Sequence, residues 1–220
     1  MNKLKHYFRE PINSITHGIG AILSLVGLVL LLYKAVYHGS MNHLVAFSMF
    51  GLSMVLLYTS SSLYHALHVK QRTLLLLQKL DHSMIYVLIA GTYTPICLIV
   101  LEGSWKWGFF ITVWSLAIIG IIKKMFWLNS PRWLSTAFYL GLSWMALIIF
   151  PTLIEKLPLA FMVWILLGGV AYTLGAVIYA LRKPNLFPDF GSHEIWHLFV
   201  LAGTFCHFWA IYQFLPAYGG

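Results

Sequence analysis

Charged residues are scarce in this sequence of 220 amino acids. Only 9% of the residues are charged and just six are acidic, whereas 60% are hydrophobic and the mean hydropathy is +0.81. A soluble globular domain carries roughly 25% charged residues. The composition therefore excludes a soluble domain and predicts a protein whose solvent is the lipid bilayer.

Cysteine and long polar segments are scarce as well. Cys97 and Cys206 lie in separate hydrophobic stretches without the spacing of a disulfide framework or a cysteine metal site. We therefore expect both to be small apolar packing residues. No connection between hydrophobic stretches exceeds about 15 residues, which leaves no room for a soluble domain. Any function must reside inside the membrane part or at its rims.

Seven hydrophobic stretches are long enough to cross the bilayer as helices, which takes about 20 residues each. Lys123 and Lys124 shorten the apolar run of the fourth. The sequence predicts an all-α membrane protein, a seven-transmembrane helix bundle that forms one domain over residues 1–220. The predicted spans are residues 17–37, 44–67, 82–101, 107–125, 133–154, 158–181 and 195–215.

The basic residues predict the orientation of the bundle. With the amino terminus inside the cell, 11 of the 14 Lys and Arg residues fall on the cytoplasmic side. The positive-inside rule then predicts a cytoplasmic amino terminus and an external carboxyl terminus. Because topology and contact with anionic lipids account for the net charge of +8, we expect membrane lipids as partners and no nucleic acid.

Polar residues from distant spans fall at one depth in this topology. His65 ends the second span, Asp81 precedes the third, and His193 and His197 stand one helical turn apart where the seventh begins. All four lie near the predicted cytoplasmic face. The same level is reached by three polar residues at the start of the first span, Glu10, Asn13 and His17.

His207 provides a contrast to this group. It follows His197 by ten residues, which places it about 15 Å deeper in the membrane. It cannot share a site with the others, and we expect it to form an interhelical hydrogen bond.

Three imidazoles and a carboxylate suit a zinc ion, which in catalytic sites keeps three protein ligands and an exchangeable water. We assign His65, His193 and His197 as the ligands, and Asp81 as the residue that holds or deprotonates the water. Ser61, one turn before His65, could orient that imidazole or donate to a developing oxyanion. The alternative is a metal-free polar network that joins the second, third and seventh helices, and spacing alone leaves both interpretations open.

Several motifs occur together in a specific order. They are Ser61-Ser62-Leu63-Tyr64-His65, Leu80-Asp81-His82-Ser83-Met84-Ile85-Tyr86 leading to Gly91-Thr92-Tyr93-Thr94-Pro95, and Ser192-His193-Glu194-Ile195-Trp196-His197 with His207 beyond. With them the whole chain resembles the hemolysin III proteins, the bacterial branch of the progestin and adipoQ receptor family. The run Glu10-Pro11-Ile12-Asn13-Ser14-Ile15-Thr16-His17 fits the bacterial branch in particular.

The resemblance implies a seven-helix fold in the cell membrane with its amino terminus inside. It also implies a zinc ion held by the residues matching His65, His193 and His197, with Asp81 close by through water. The family is grouped with alkaline ceramidases as metal-dependent lipid hydrolases, and its bacterial members are linked to haemolysis and membrane-lipid homeostasis. A hydrolase acting on lipid amide or ester bonds is the activity that follows from this grouping.

Other functions remain open at this point. A non-enzymatic sensor or receptor-like protein would use zinc as a structural clasp in a closed site, and a pore-forming haemolysin would need a continuous polar path across the membrane. The run from His193 to His197 also matches the H-E-x-x-H pattern of zinc proteases. That third interpretation requires Glu194 to face the metal as general base. A lipid-sized cavity beside the metal would favour the hydrolase.

Overall fold

The computed structural model describes residues 4–38 and 40–218, which are almost entirely helical. Seven stretches are long and apolar enough to span a membrane, which confirms the predicted all-α architecture. These described residues contain no β-strand beyond an isolated bridge between Phe187 and Phe190. The helices are α1 (Leu4–Tyr7), α2 (Pro11–His38), α3 (Met41–Ala66), α4 (Gln71–Pro95), α5 (Gly103–Phe126), α6 (Arg132–Ser143), α7 (Ala146–Lys156), α8 (Leu159–Leu181) and α9 (Ser192–Phe214).

Six of the seven spans begin earlier than their hydropathy predicts, and three of these early starts concern the candidate site. The first begins at Pro11, the third at Gln71 and the seventh at Ser192, against the predicted residues 17, 82 and 195. The added turns contain polar residues, which a hydropathy pattern excludes although a helix readily includes them. As a result, Asp81 and His193 lie within helices and not in connections.

Helix α4 is the centre of the bundle. Its span is 72% buried inside the protein, whereas the other six spans are 22–50% buried and expose apolar residues outward. Four tryptophans at helix ends are also largely exposed, as expected for residues at the membrane interface. They are Trp105, Trp107, Trp127 and Trp133.

The fifth span is interrupted, although its sequence predicts one continuous helix over 133–154. It consists of α6 and α7, with a break at Trp144 and Met145. The Tyr93 hydroxyl of α4 hydrogen-bonds with the carbonyl groups of Leu142 and Ser143 and accepts the N–H of Ala146. A buried hydroxyl thus satisfies backbone groups that the break leaves free, which is how irregular backbone is tolerated at membrane depth.

Because successive spans run in opposite directions, ends of helices that are distant in the sequence meet at each end of the bundle. The segment before α2 pairs with the end of α3, since Arg9 N–H donates to the Ala66 carbonyl. At the opposite end, His43 near the start of α3 hydrogen-bonds with the carbonyl of Leu215 after α9. We call the end that contains the start of α9 the site end, and the end that contains Leu215 the far end. Which of them faces the cytoplasm stays a prediction, and Lys3, one of the basic residues behind it, lies outside the described residues.

Candidate metal centre

Three histidines converge at the site end. His65 comes from the last turn of α3, and His193 and His197 come from the first two turns of α9. One ring nitrogen of each lies within 4.8 Å of those of the other two. The imidazoles of His65 and His197 are nearly inaccessible to solvent. The predicted convergence of these residues is therefore confirmed.

The ring nitrogens of this cluster lack hydrogen-bond partners. His65 Nε2, His193 Nε2 and His197 Nδ1 are all buried without a partner among residues 4–38 and 40–218. A buried polar atom without a hydrogen bond costs free energy, on the order of 1–3 kcal/mol for a neutral group. Each ring of the cluster thus has a buried nitrogen that no described residue satisfies, and imidazole nitrogen is a ligand that zinc binds.

Glu10 orients one of these imidazoles. Its Oε2 lies 2.6 Å from His65 Nδ1, which leaves Nε2 of the same ring for a metal. The backbone holds the carboxylate in place, because Glu10 N–H donates to the His65 carbonyl at 2.9 Å. A carboxylate on the outer nitrogen fixes the tautomer and direction of a metal-binding histidine.

Neighbouring charges keep Glu10 ionised. Partial burial raises the pKa of its carboxyl group, but the hydrogen bond and charge of His65 and the nearby Arg9 outweigh that effect and lower the pKa to about 2. Arg9 Nη1 lies 3.2 Å from Glu10 Oε1. Glu10 is thus a charged partner for His65 at neutral pH.

Asn13 links the first and seventh spans. Its Nδ2 donates to Glu194 Oε1 at 2.8 Å and to Glu10 Oε2 at 3.3 Å. The other oxygen of Glu194 accepts the N–H of Gly191 at 2.8 Å, which satisfies the start of α9. Glu194 does not line the central cavity described below. The protease interpretation, which needs this carboxylate to face the metal, loses its general base.

His17 is a fourth imidazole beside the cluster. Its ring stacks on that of His197 with 3.6 Å between centroids and 11° between planes. Both of its nitrogens are buried and have no hydrogen-bond partner in the described part of the chain. Within the described residues, His17 does not belong to the group of three ligand atoms that lie close together.

Asp81 and Ser61 lie on the wall of the same cavity as the histidines, on α4 and α3. Both are buried, Ser61 almost completely. Ser61 Oγ has no hydrogen-bond partner among the residues described, so its hydroxyl is available to a ligand. The structure brings these two residues to the site end, while their chemical roles stay predictions.

His207 forms the predicted interhelical bond. Its Nε2 lies 3.1 Å from the carbonyl oxygen of Ile165 on α8, to which it donates. Tyr172, also on α8, places its ring edge-on to the imidazole at 5.4 Å. His207 is thus bonded to the backbone, deeper in the bundle than the three clustered histidines.

A cavity of about 590 Å³ extends from the histidine cluster into the bundle. The volume is in the range of small-molecule sites, roughly 300–1,000 Å³. The inner wall is mainly apolar and reaches Ile96, Leu153 and His207. The exposed residues that form part of its lining include Asn129 and Arg132 at the site end and Leu147 and Leu166 within the spans.

The sequence left the roles of Glu10 and Asn13 open. Both depend on contacts between segments far apart in the chain, 55 residues for Glu10 and His65 and 181 residues for Asn13 and Glu194. Only a weak pattern in the sequence indicates that these residues act together. Glu10, Asn13 and His17 recur at intervals of three and four residues, which places them on one helix face.

Comparison with known proteins gives matches along almost the whole chain. The family described as Haemolysin-III related matches residues 5–208. The chain is 40% identical over 212 residues to Hemolysin-3 of Bacillus cereus, covering 96% of this chain and 94% of that protein. It is 42% identical over 202 residues to a Hemolysin-3 homolog of Bacillus subtilis (strain 168), covering 92% of each. It is 23% identical over 216 residues to the human monocyte to macrophage differentiation factor, covering 94% of this chain and 85% of that protein.

Proposed function

The chain belongs to the haemolysin-III related family of multi-pass integral proteins of the cell membrane, and on that premise we propose that it is a zinc-dependent lipid hydrolase. In this proposal His65, His193 and His197 hold the zinc ion. Asp81 is the general base, and the substrate is a membrane lipid with an amide or ester bond. The reaction would serve membrane-lipid homeostasis.

One observation carries the proposal. Three histidines that each have a buried nitrogen without a hydrogen-bond partner in the described chain lie with one ring nitrogen of each within 4.8 Å of the others, and their imidazoles line a cavity of about 590 Å³. A site that served only to join helices would gain stability by hydrogen-bonding these atoms to each other or to the backbone. The lack of hydrogen bonds to these nitrogens therefore favours a bound metal ion, and the adjoining cavity favours a bound substrate.

The chemistry would use two residues beside the histidines. Zinc, when bound, would polarise a carbonyl and lower the pKa of a water to about 7. Asp81 would hold the attacking water and accept its proton as the water oxygen bonds to the carbonyl carbon. Ser61 would donate its hydroxyl proton in a hydrogen bond to the developing oxyanion. The carbon–nitrogen or carbon–oxygen bond then breaks, and the proton held by Asp81 passes to the leaving group.

The cavity also supports a lipid as substrate. Its inner wall consists largely of aliphatic and aromatic side chains such as Ile89, Ile96, Phe150 and Leu153. An acyl chain there would leave water and gain free energy in proportion to its buried area, about 25 cal/mol per Å². The polar end of the lipid would lie at the site end, beside Asp81 and the histidines.

A structural clasp is the second candidate function. It is favoured by the bridge in which Asn13 joins Glu10 to Glu194, because this bridge ties α2 to α9 next to the histidines. A non-enzymatic membrane sensor would use such a clasp to hold the bundle in one state. In that case the metal stabilises the fold and no lipid is turned over.

Replacement of Asp81 by Asn separates the two functions. The parent protein and the variant are purified in lipid nanodiscs and given a panel of amide- and ester-linked lipids. We expect zinc-dependent release of fatty acid from the parent and a loss of about 10²- to 10⁴-fold in the variant, which is the usual contribution of a general base. Zinc content and thermal stability should be nearly unchanged, since Asn has the same shape and forms hydrogen bonds.

The clasp predicts a different result from the same experiment. No lipid in the panel would be hydrolysed by the parent, and Asp81→Asn would mainly lower the melting temperature. That outcome would overturn the hydrolase proposal. As a control for general damage, Glu155→Gln alters an exposed residue that does not line the cavity and should leave any turnover largely intact.

A further inference from the structure

Three basic side chains line the cavity at the site end. Lys124 lies at the end of α5, Arg132 at the start of α6 and Arg182 just after α8, and all three line the cavity. Arg132 and Arg182 are exposed, whereas Lys124 is only 4% exposed. Lys124 is thus a buried cation on the cavity wall.

None of these cations has an acidic partner within the described ranges. The ion pairs found in residues 4–38 and 40–218 involve Lys5, Arg9, His65 and Lys156. Among the carboxylates that line the cavity, Glu10 is occupied by His65 and Arg9. Asp81 forms no ion pair within the described part of the chain. A cation on the wall of a largely apolar cavity without a counter-charge would bind favourably a ligand that supplies one.

The cations lie close to the metal centre. The Arg132 guanidinium stands over the Tyr179 ring, 5.0 Å from its centroid. The same Tyr179 ring is 5.7 Å from the His193 ring. A single aromatic ring therefore connects a positive charge at the site end with one of the clustered histidines.

We propose that the cavity selects lipids that carry an anionic group. Lys124, Arg132 and Arg182 would hold this group, a phosphate or a carboxylate, while the acyl chain occupies the apolar interior. Arg pairs with both groups through two parallel hydrogen bonds, and Lys supplies a point charge. The inference deepens the proposed function and rests on it, since it defines the class of lipid that reaches the same site.

Lys123 distinguishes this site from a general attraction to anionic membrane surfaces. It precedes Lys124 in the chain and carries the same charge. It does not line the cavity, and its Nζ lies 4.2 Å from the centroid of the Phe138 ring. Replacing either lysine by Gln changes the net charge by the same amount at nearly the same place. The pair is therefore a matched test.

The test measures lipid binding without turnover. The full-length protein, purified with its metal, is titrated in neutral detergent with ether-linked phosphatidic acid, ether-linked phosphatidylcholine of the same chains, and a free fatty acid. Ether lipids have no ester to cleave. Native mass spectrometry or a fluorescent-lipid competition assay gives the affinities.

We expect the parent to prefer phosphatidic acid or the fatty acid over phosphatidylcholine by about tenfold or more, the usual strength of one charge-assisted hydrogen bond. Lys124→Gln should remove about tenfold of this preference, whereas Lys123→Gln should keep it. Whichever anionic ligand binds more tightly identifies a phosphate or a carboxylate as the recognised group. Arg132→Gln, at an exposed position, provides a second variant should Lys124→Gln fail to fold.

Equal losses in Lys124→Gln and Lys123→Gln, or no preference in the parent, would overturn the inference. The result is separable from the test of hydrolysis. Anionic preference without any turnover would contradict the proposed activity and leave the selectivity standing. Turnover that does not depend on the charge of the lipid would contradict the selectivity and leave the proposed activity standing.

Discussion

The two ends of the bundle differ in how their buried histidines are grouped. At the far end, His43 Nε2 hydrogen-bonds with the Leu215 carbonyl at 3.3 Å. Nearby connections are tied by Lys156, whose Nζ lies 2.6 Å from Glu102 Oε1 and donates to the Val100 carbonyl. At the site end, one nitrogen each of His65, His193 and His197 remains without a partner in the described chain.

A comparison of His43 with His65 shows this difference in grouping. His43 and His65 belong to the same helix and are both 1% exposed. His43 binds the backbone of another element and thereby helps to close the bundle. His65 is fixed on one nitrogen by Glu10 and offers the other to a shared point. Burial alone would not distinguish them, whereas the two further histidine nitrogens within 4.8 Å of that of His65 do.

The largest expected effect is loss of the metal from the site end, which would distinguish it most clearly from the far end. We expect about one zinc per chain in the purified protein and almost none in His193→Ala or His197→Ala, because two imidazoles hold the ion far less tightly than three. Elemental analysis by mass spectrometry measures the content. His207→Ala should retain the metal, since His207 bonds to the Ile165 carbonyl. An unchanged zinc content in both His193→Ala and His197→Ala would overturn the assignment of these histidines as metal ligands.

The second prediction assigns the two ends to the two sides of the membrane. Gln71 begins α4 at the site end and Ala217 follows α9 at the far end, and both are exposed. If the positive-inside rule holds, Gln71→Cys should be shielded from an impermeant thiol reagent in intact cells, and Ala217→Cys should react. The parent, with Cys97 and Cys206 in its spans, supplies the background. The reverse pattern would place the histidines at the outer face.

Much of the site end could be predicted from the sequence. Helix periodicity and span length determine the depth of a residue, so the sequence alone suffices to place His65, His193 and His197 at one level. The separate depth of His207 and its interhelical hydrogen bond could also be predicted, although the Ile165 carbonyl as its partner could not. These properties depend on local geometry and on the alternation of spans across the bilayer.

The rest depends on contacts that depth does not determine. The pairing of Glu10 with His65 requires the segment before α2 to dock on the end of α3 through backbone hydrogen bonds. The break between α6 and α7 depends on Tyr93, about 50 residues earlier in the chain. Such contacts follow from the arrangement of helices around α4, which no single segment specifies.

A smaller effect is expected at the carboxylate that orients His65. Glu10→Gln keeps the shape but loses the charge, and we expect zinc affinity to fall about 10- to 100-fold, as is typical when the partner of a ligand histidine is changed. Competition with a chromophoric chelator measures the affinity. Glu102→Gln, a matched change at the far end, should leave zinc affinity unaltered. Equal affinities in parent and Glu10→Gln would mean that His65 needs no orienting carboxylate.

The smallest effect is expected at the far end itself. His43→Leu conserves volume but removes the hydrogen bond to the Leu215 carbonyl. Interhelical hydrogen bonds in membranes contribute about 0.6 kcal/mol on average and up to about 1.7 kcal/mol, so the free energy of unfolding should fall by an amount in that range. Reversible unfolding in mixed detergent micelles measures it. Zinc content should remain that of the parent, because His43 lies at the end of α3 opposite His65. Metal loss in His43→Leu as complete as in His193→Ala would show that the two ends are coupled, and the division into a structural end and a functional end would then fail.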